Sequence, residues 1–358
     1  MRLTVLTLTA ALLAGACAAG EPYLIIKDGL AGFIDSDGKV IVKPRFDRAE
    51  PFSEDRALVR VGGRSGRWGF IDARGSFVVN PRFQEARSFS EGMAAVRVGR
   101  DWGFVSRQGK MAVAPQFDEA FDFAEGLAAV RIGRLLGYID TKGEYVVQPR
   151  FTRAGSFSEG LAAVLIDDNW GYVGKKGDEA IKPQFRAAEA FFGGLARVRS
   201  GGRGGLFGFL DNRGKYVANP RYRAAGKLSE GRIAVLLEKS WGYIDGSGKI
   251  AITPRFEEAG HFSDGLAAVR SQKKWGFIDK EGQAVITPGF ELAEAFSNGL
   301  AAVRSGKKWG FVNKTGKLVV QPAFDELGPF DGKLAAVRVG RDRGYIDASG
   351  KYVWEPSR

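Results

Sequence analysis

One motif sets the register of the whole chain. A glycine preceded mostly by Trp and followed by an aromatic and an aliphatic residue recurs at Gly32, Gly69, Gly103, Gly137, Gly171, Gly208, Gly242, Gly276, Gly310 and Gly344. The spacing is 34 residues, except for 37 between Gly32 and Gly69 and between Gly171 and Gly208. Six residues after each stands a second glycine, from Gly38 to Gly350, and twelve after each a proline, from Pro44 to Pro356. Ten of the 13 prolines fall in that register. Three registers kept in phase through ten units leave little of the 358 residues for anything else. The fold must therefore be a stack of one small supersecondary unit.

The unit reads as β-structure. Trp275-Gly276-Phe277-Ile278 is a strand, Asp279 to Gly282 a tight turn, and Ala284 to Thr287 the return strand. Pro288 is expected to end that strand, because proline cannot donate to a ladder. Phe290 and Phe296 anchor a loop with a single helical turn around Glu291–Ala295. Asn298-Gly299 then turns the chain into a third strand, Leu300 to Arg304. Neighbouring strand residues are both apolar, as in Phe277-Ile278 and Ala301-Ala302-Val303, so both sheet faces are expected to be buried between neighbours. The expected fold is all-β, a tandem array of about ten three-stranded units. The two ends are out of phase: Tyr23 to Lys27 aligns with a third strand, and the chain stops after two strands at Arg343 to Pro356. Together they are expected to complete a tenth unit. That favours a closed, propeller-like toroid over an open β-superhelix.

These residues resemble the WG (KWG) repeat of bacterial proteins. The resemblance covers about residues 23–356 and rests on Trp68, Trp102, Trp170, Trp241, Trp275 and Trp309 with their glycines and prolines. Ala31, Leu136, Phe207 and Arg343 replace the Trp in the other units. The resemblance implies a structural repeat and no particular activity.

The N-terminus reads as an export signal. Arg2 precedes the apolar run Leu3 to Leu13, which is too short for a permanent span. Leu13-Ala14-Gly15-Ala16-Cys17 is similar to a lipobox, which makes 1–16 a lipoprotein-type signal peptide, Cys17 the lipidated residue, 17–22 a short linker and 23–356 a single repeat domain. Plain secretion, by cleavage after Ala16 or Ala18, is the other reading. Ala18 in place of Asp points a lipoprotein toward an outer membrane; otherwise the chain is periplasmic or extracellular. No second cysteine exists, so no disulfide holds the body together.

With one His and one Cys, the chain has no material for most zinc sites or for Cys–His and Ser–His–Asp machinery. Asp35-Ser36-Asp37-Gly38 reads as a turn, and His261 as a loop residue. The pairs Asp118-Glu119, Glu257-Glu258 and Asp325-Glu326 read as solvated loop charge. No cofactor, metal or catalytic residue is expected. The net charge of +12 directs attention to arginines in phase. Arg45, Arg82, Arg150, Arg221 and Arg255 follow the motif proline, and Arg60, Arg97, Arg131, Arg199, Arg270, Arg304 and Arg338 end the third strand. Arg64 and Arg203 lie in the two loops that carry three extra residues, Gly62–Arg67 and Ser200–Leu206. The first set, with Arg64 and Arg203, is the candidate binding set for an anionic envelope polymer or a protein. Pairing with in-phase acids such as Glu54, Glu91 or Asp72 is the alternative. Nucleic acid is disfavoured, because the aromatics are periodic and read as core. The sequence thus favours an exported, lipid-anchored scaffold without catalysis. The rival is a toroid enzyme acting on an envelope glycan, with carboxylates and arginines in a central pocket.

Overall fold

A computed structural model describes residues 22–202 and 204–357. The signal segment 1–16, Cys17 and Arg203 lie outside the described residues. Ten small antiparallel sheets follow one another along the chain, each a simple meander of consecutive strands. Nine have four strands, here called a, b, c and d in chain order, and the first has three. In the second blade these are Arg48–Ser53, Arg56–Val61, Arg67–Ile71 and Phe77–Phe83. Strands a of successive blades, such as Glu258–Ser263 and Leu292–Ser297, touch one another. Equivalent strands meet where a ring is narrowest, so strand a is the inner edge and strand d the rim.

Two expectations about the unit are corrected. The segment after the proline is strand a and not a loop, so the unit has four strands. The helical turn placed at Glu291–Ala295 is the start of strand Leu292–Ser297. The proline does not end strand d either. Strand Ala284–Phe290 runs through Pro288. Opposite strand c, Phe277 pairs with Ile286 but Trp275 pairs with Phe290, which leaves two extra residues on strand d. Proline sits in that bulge, where no ladder hydrogen bond needs its missing N–H. The bulge presses on the motif glycine. A Cβ on Gly276 would lie 2.4 Å from the Ile286 carbonyl oxygen and 2.6 Å from the Pro288 nitrogen. Trp-Gly and the proline twelve residues on are two halves of one close contact.

Blades pack face to face through aromatic pairs. In eight of the ten blades the strand-c ring meets a phenylalanine of the next blade's inner edge, as in Phe33–Phe52, Phe70–Phe89, Tyr138–Phe157 and Phe311–Phe330, with centroids 4.7–4.9 Å apart. Burial on both sheet faces follows: Ala128, Ala129 and Val130 of one strand b are all buried. Small alanines let neighbouring blades approach there, and edge-to-face rings add about 1 kcal/mol per pair beyond their buried area.

The ring closes, but by a different device from the composite unit read from the ends. Tyr23–Lys27 is strand b of the first blade, paired with Leu30–Ile34 and not with the last blade. Strand a is missing from that blade. The carbonyls of Leu24 and Ile26, which point to the empty position, accept hydrogen bonds from the Tyr345 hydroxyl (2.7 Å) and Ser357 Oγ (3.0 Å) of blade 10. Tyr23 and Ile25 join Ile34 and Leu334 in one buried cluster, flanked by Tyr345, Val353 and Trp354.

Candidate binding face

The ring has two faces. One carries the a–b and c–d turns. The other carries the b–c turns and the d–a connections.

The a–b face is a chain of latches. The turn pattern is Phe-Ser-acid-Gly, complete in blades 3, 5 and 8 and changed at one position in blades 2, 4, 7 and 9. The Ser hydroxyl donates to the Phe carbonyl of the next blade: Ser53 to Phe89 (2.8 Å), Ser90 to Phe123 (2.8 Å), Ser263 to Phe296 (2.6 Å). The acid accepts the next turn's glycine N–H: Glu54 from Gly92 (2.8 Å), Glu91 from Gly126 (2.7 Å), Asp264 from Gly299 (2.7 Å). Cations of the c–d turns pair with the same acids, as in Arg107–Glu54, Lys175–Glu125 and Lys280–Glu230. Other cations of the c–d turns, among them Arg74, Lys142, Lys176, Arg213 and Lys249, are exposed and in no ion pair among the described residues.

Four of the five arginines after the proline also make inter-blade contacts. Arg45 Nη2 donates to the Gly75 carbonyl of the next blade at 2.5 Å, Arg255 to Gly282 at 2.6 Å, Arg82 to Gly109 at 3.5 Å, and Arg150 to Gly177. Arg221 Nε donates to the Tyr222 hydroxyl at 3.1 Å. Each guanidinium also covers the ring of its own successor, Phe46, Phe83, Phe151, Tyr222 or Phe256, at 5.0–5.2 Å. Four of them, Arg45, Arg82, Arg150 and Arg255, thus tie one blade to the next, whereas the Arg221 bond stays within its own blade.

On the b–c face the doubled carboxylates divide their work. The first acid caps the b–c turn: Asp118 accepts from Gly133 N–H at 2.6 Å, and Asp325 from Gly340 N–H at 2.7 Å. The second pairs with the arginine that ends strand b: Glu119 with Arg131 (2.9 Å), Glu85 with Arg97 (2.7 Å), Glu258 with Arg270, and Glu326 with Arg338. Arg60 and Arg199 instead hold loop carbonyls, at Gly66 and Gly205, and Arg304 lies over Trp309. Arg64 lends its carbonyl to Arg60 in the same loop.

Sequence reasoning missed another set. Arg100, Arg134, Arg153, Arg186, Arg223 and Lys239 are exposed at b–c turns and d–a connections of blades 3 to 7. None of the six is in an ion pair among the described residues. The signal was present as basic residues after the turn glycines, Gly99-Arg100 and Gly133-Arg134. A groove of about 500 Å3 crosses blades 2 to 4 on this face, lined by Trp68, Trp102, Arg87 and Arg131 among others. The Arg87 guanidinium lies 5.8 Å from the Trp102 ring and 5.2 Å from that of Phe121. An open depression of about 720 Å3 in blade 7 is lined by Arg223, Lys239 and Ser240. Glu85, Asp118 and Glu119 also line the groove across blades 2 to 4, with Arg131 paired to Glu119, so Arg87 is its one lining cation outside an ion pair among the described residues.

The inner edge is polar and irregular. Strand a bulges between Ala49 and Phe52 and at the matching place in other blades. The bulged positions hold Glu50, Asp122 and Glu294, whose carboxyls are pushed up by desolvation, with Arg48 and Arg87 pulling the first two back. His261 of blade 8 is exposed at the position that Asp122 holds in its own blade. Asp35 accepts the N–H groups of Asp37 (3.0 Å) and Lys39 (2.9 Å), so its carboxylate serves the turn.

The family profile described as WG containing repeat matches nine stretches: 32–64, 68–100, 102–135, 137–170, 170–203, 207–239, 241–275, 275–309 and 309–341. The chain belongs to the WG-repeat family. No curated protein matches it in sequence. Among solved structures, a eukaryotic initiation factor superposes with a TM-score of 0.51 at 12% identity, over 86% of this chain and 98% of that one. That likeness shows the ring-of-blades fold alone. PorZ, a surface component of the type-IX secretion system of Porphyromonas gingivalis, matches at 10% identity over 94% of this chain and 52% of its own, with a TM-score of 0.28. An extracellular domain from B. thetaiotaomicron, BT4673, matches at 11% identity over 91% and 52%, with a TM-score of 0.32. Among the described residues of this WG-repeat chain, no helix is long and apolar enough to cross a membrane.

Proposed function

We propose that this WG-repeat ring is an exported binding scaffold without catalysis, tethered by a lipid on Cys17 after removal of residues 1–16. Its b–c face binds an anionic polymer of the cell envelope. The observation that carries the reading is the arc of exposed, unpaired cations Arg100, Arg134, Arg153, Arg186, Arg223 and Lys239. Arg45, Arg82, Arg150 and Arg255 support it by contrast, since each donates to a carbonyl of the next blade. Free cations at a fixed pitch on a rigid ring match a repeating polyanion better than a compact anion. Each free cation binds weakly alone, and the polymer joins several such contacts into one tight one.

The test uses polygalacturonate as a model polyanion and residues 18–358 as the protein. Binding is expected to weaken by roughly tenfold or more between about 50 and 300 mM salt, because screening shortens the reach of exposed charges. The triple variant Arg134→Glu, Arg153→Glu, Arg186→Glu is expected to abolish binding while the circular dichroism stays unchanged. Salt-independent binding, or full binding by the triple variant, contradicts the reading.

A further inference from the structure

Several departures from the repeat meet at the seam between blades 6 and 7. In blade 6 the Phe-Ser-acid-Gly turn reads Phe191-Phe192-Gly193-Gly194. The latch hydroxyl is replaced by a phenyl ring that is 60% exposed, and the latch carboxylate by nothing. Blade 7 departs at the matching place. Leu228 stands where the inner-edge phenylalanine stands in other blades, so Phe209 of blade 6 meets a leucine where equivalents such as Phe33, Tyr172 and Tyr243 meet a phenylalanine. In strand b of blade 6 the second alanine of the Ala-Ala pair is Arg197, ion-paired with Glu189 and lying 5.3 Å from the Phe207 ring. Gly193 is itself required. A Cβ there would lie 2.8 Å from Leu228 Cδ2, and its φ is +60°.

These changes meet around a cavity of about 190 Å3, walled by Phe191, Phe192, Phe209 and Leu228 with Glu189, Arg197 and Lys227 at its edge. An apolar cavity of about 150 Å3 is large enough to hold a benzene ring. Glu189 neutralises Arg197, whereas Lys227 is exposed and in no ion pair among the described residues. The mouth therefore offers one uncompensated cation beside an apolar hole.

We propose that this cavity takes the C-terminal residue of a partner protein, an aromatic or branched aliphatic side chain whose α-carboxylate meets the Lys227 ammonium group. A lone cation next to a hole of side-chain size is complementary to that pairing of ring and carboxylate. The site lies on the a–b side of the ring, away from the cation arc. Its failure would leave the polyanion reading standing.

The probe is a tetrapeptide, Gly-Ser-Gly-Phe, with a free C-terminus, titrated calorimetrically into residues 18–358. Saturable binding is expected, weakened at least tenfold when the terminus is amidated. Leu228→Phe restores the ring found in the other blades and fills the cavity. It is expected to abolish binding at an unchanged or higher Tm. Lys227→Ala is expected to weaken the free acid and leave the amide unaffected. No binding of the acid, equal binding of acid and amide, or full binding by Leu228→Phe each overturns the proposal.

Discussion

Tyr23 of the first strand lies edge-on to Tyr345 of the last blade, with ring centroids 5.6 Å apart and planes at 62°. Its hydroxyl donates to the Asp331 carbonyl at 2.8 Å and accepts the Lys333 N–H at 3.1 Å. At this seam Tyr23 takes the place of the strand-a phenylalanine that blade 1 lacks. The ring is shut by side chains, without a strand exchanged between first and last blades. Replacing Tyr23 by Ala is expected to cost about 3–5 kcal/mol, the range for deleting a buried ring. Tyr23→Phe, which removes only the hydrogen bonds, is expected to cost about 1–2 kcal/mol. Urea denaturation measures both, and an unchanged midpoint for Tyr23→Ala would contradict closure by this contact.

The motif glycine makes a sharper contrast. Gly276→Ala puts a methyl group against the backbone of Ile286 and Pro288, which cannot move without opening the bulge. The expected loss is about 3 kcal/mol, at the upper end of overpacking. Gly126 has a φ of +85°, but an added methyl group there would meet nothing within 4 Å. Gly126→Ala therefore carries backbone strain alone, about 1 kcal/mol. Thermal denaturation of the two variants side by side tests the order, and equal effects would reject it.

The proline-following arginines are expected to act on stability and not on ligand. Arg255→Met removes the bond to the Gly282 carbonyl and part of the cover over Phe256. Its Tm is expected to fall while polygalacturonate binding holds within about twofold. A binding loss as large as that of the Arg134, Arg153 and Arg186 triple variant would return the candidate site to the a–b side.

Acid stability carries two opposite signs. Ser247, Lys274 and Lys308 hydrogen-bond the carboxylates of Asp245, Glu291 and Asp325 and hold them below their ordinary values. Folded pKa values below the unfolded ones give stability that is complete above the unfolded range and lost as pH falls through the folded values, below about 4. Glu50, Asp122 and Glu294 are raised by desolvation, so they favour folding when protonated and oppose it as pH rises through their folded values. Tm is expected to stay level or rise slightly from pH 7 to about 5, then fall steeply below about 4. A steady decline beginning at pH 7 would contradict these assignments.

The repeat and the ring were legible in the sequence because glycine and proline mark backbone events. Gly276 and Pro288 are the two sides of one bulge contact, and a bulge tolerates no substitute that a turn or strand would. Strand a was not legible, because its own bulge between Ala49 and Phe52 breaks the alternation and its inward residues differ from blade to blade. Proline also reads as a strand end unless the bulge is known. The out-of-phase ends pointed to closure, but the means lay in one residue. Tyr23 occupies the register held by Ala57, Ala128 and Ala267 elsewhere, each opposite an isoleucine of strand c. A ring in an alanine position was the available sign. The latches joining Glu91 to Gly126 and Ser90 to Phe123 span a whole repeat, so no local pattern announces them. The anomaly of Phe191-Phe192-Gly193-Gly194 was visible as a broken motif, and its meaning required the cavity beside it.

The most direct test of the account is of the closed ring on which both proposed surfaces are placed. Tyr23 is replaced by the photoreactive residue p-benzoylphenylalanine, the monomer is irradiated, and the cross-linked peptides are identified by mass spectrometry. Capture within one chain of the peptide holding Asp331–Lys333 or Tyr345 is the expected result. Cross-links confined to the first two blades, or found only between chains, would mean that the array is open.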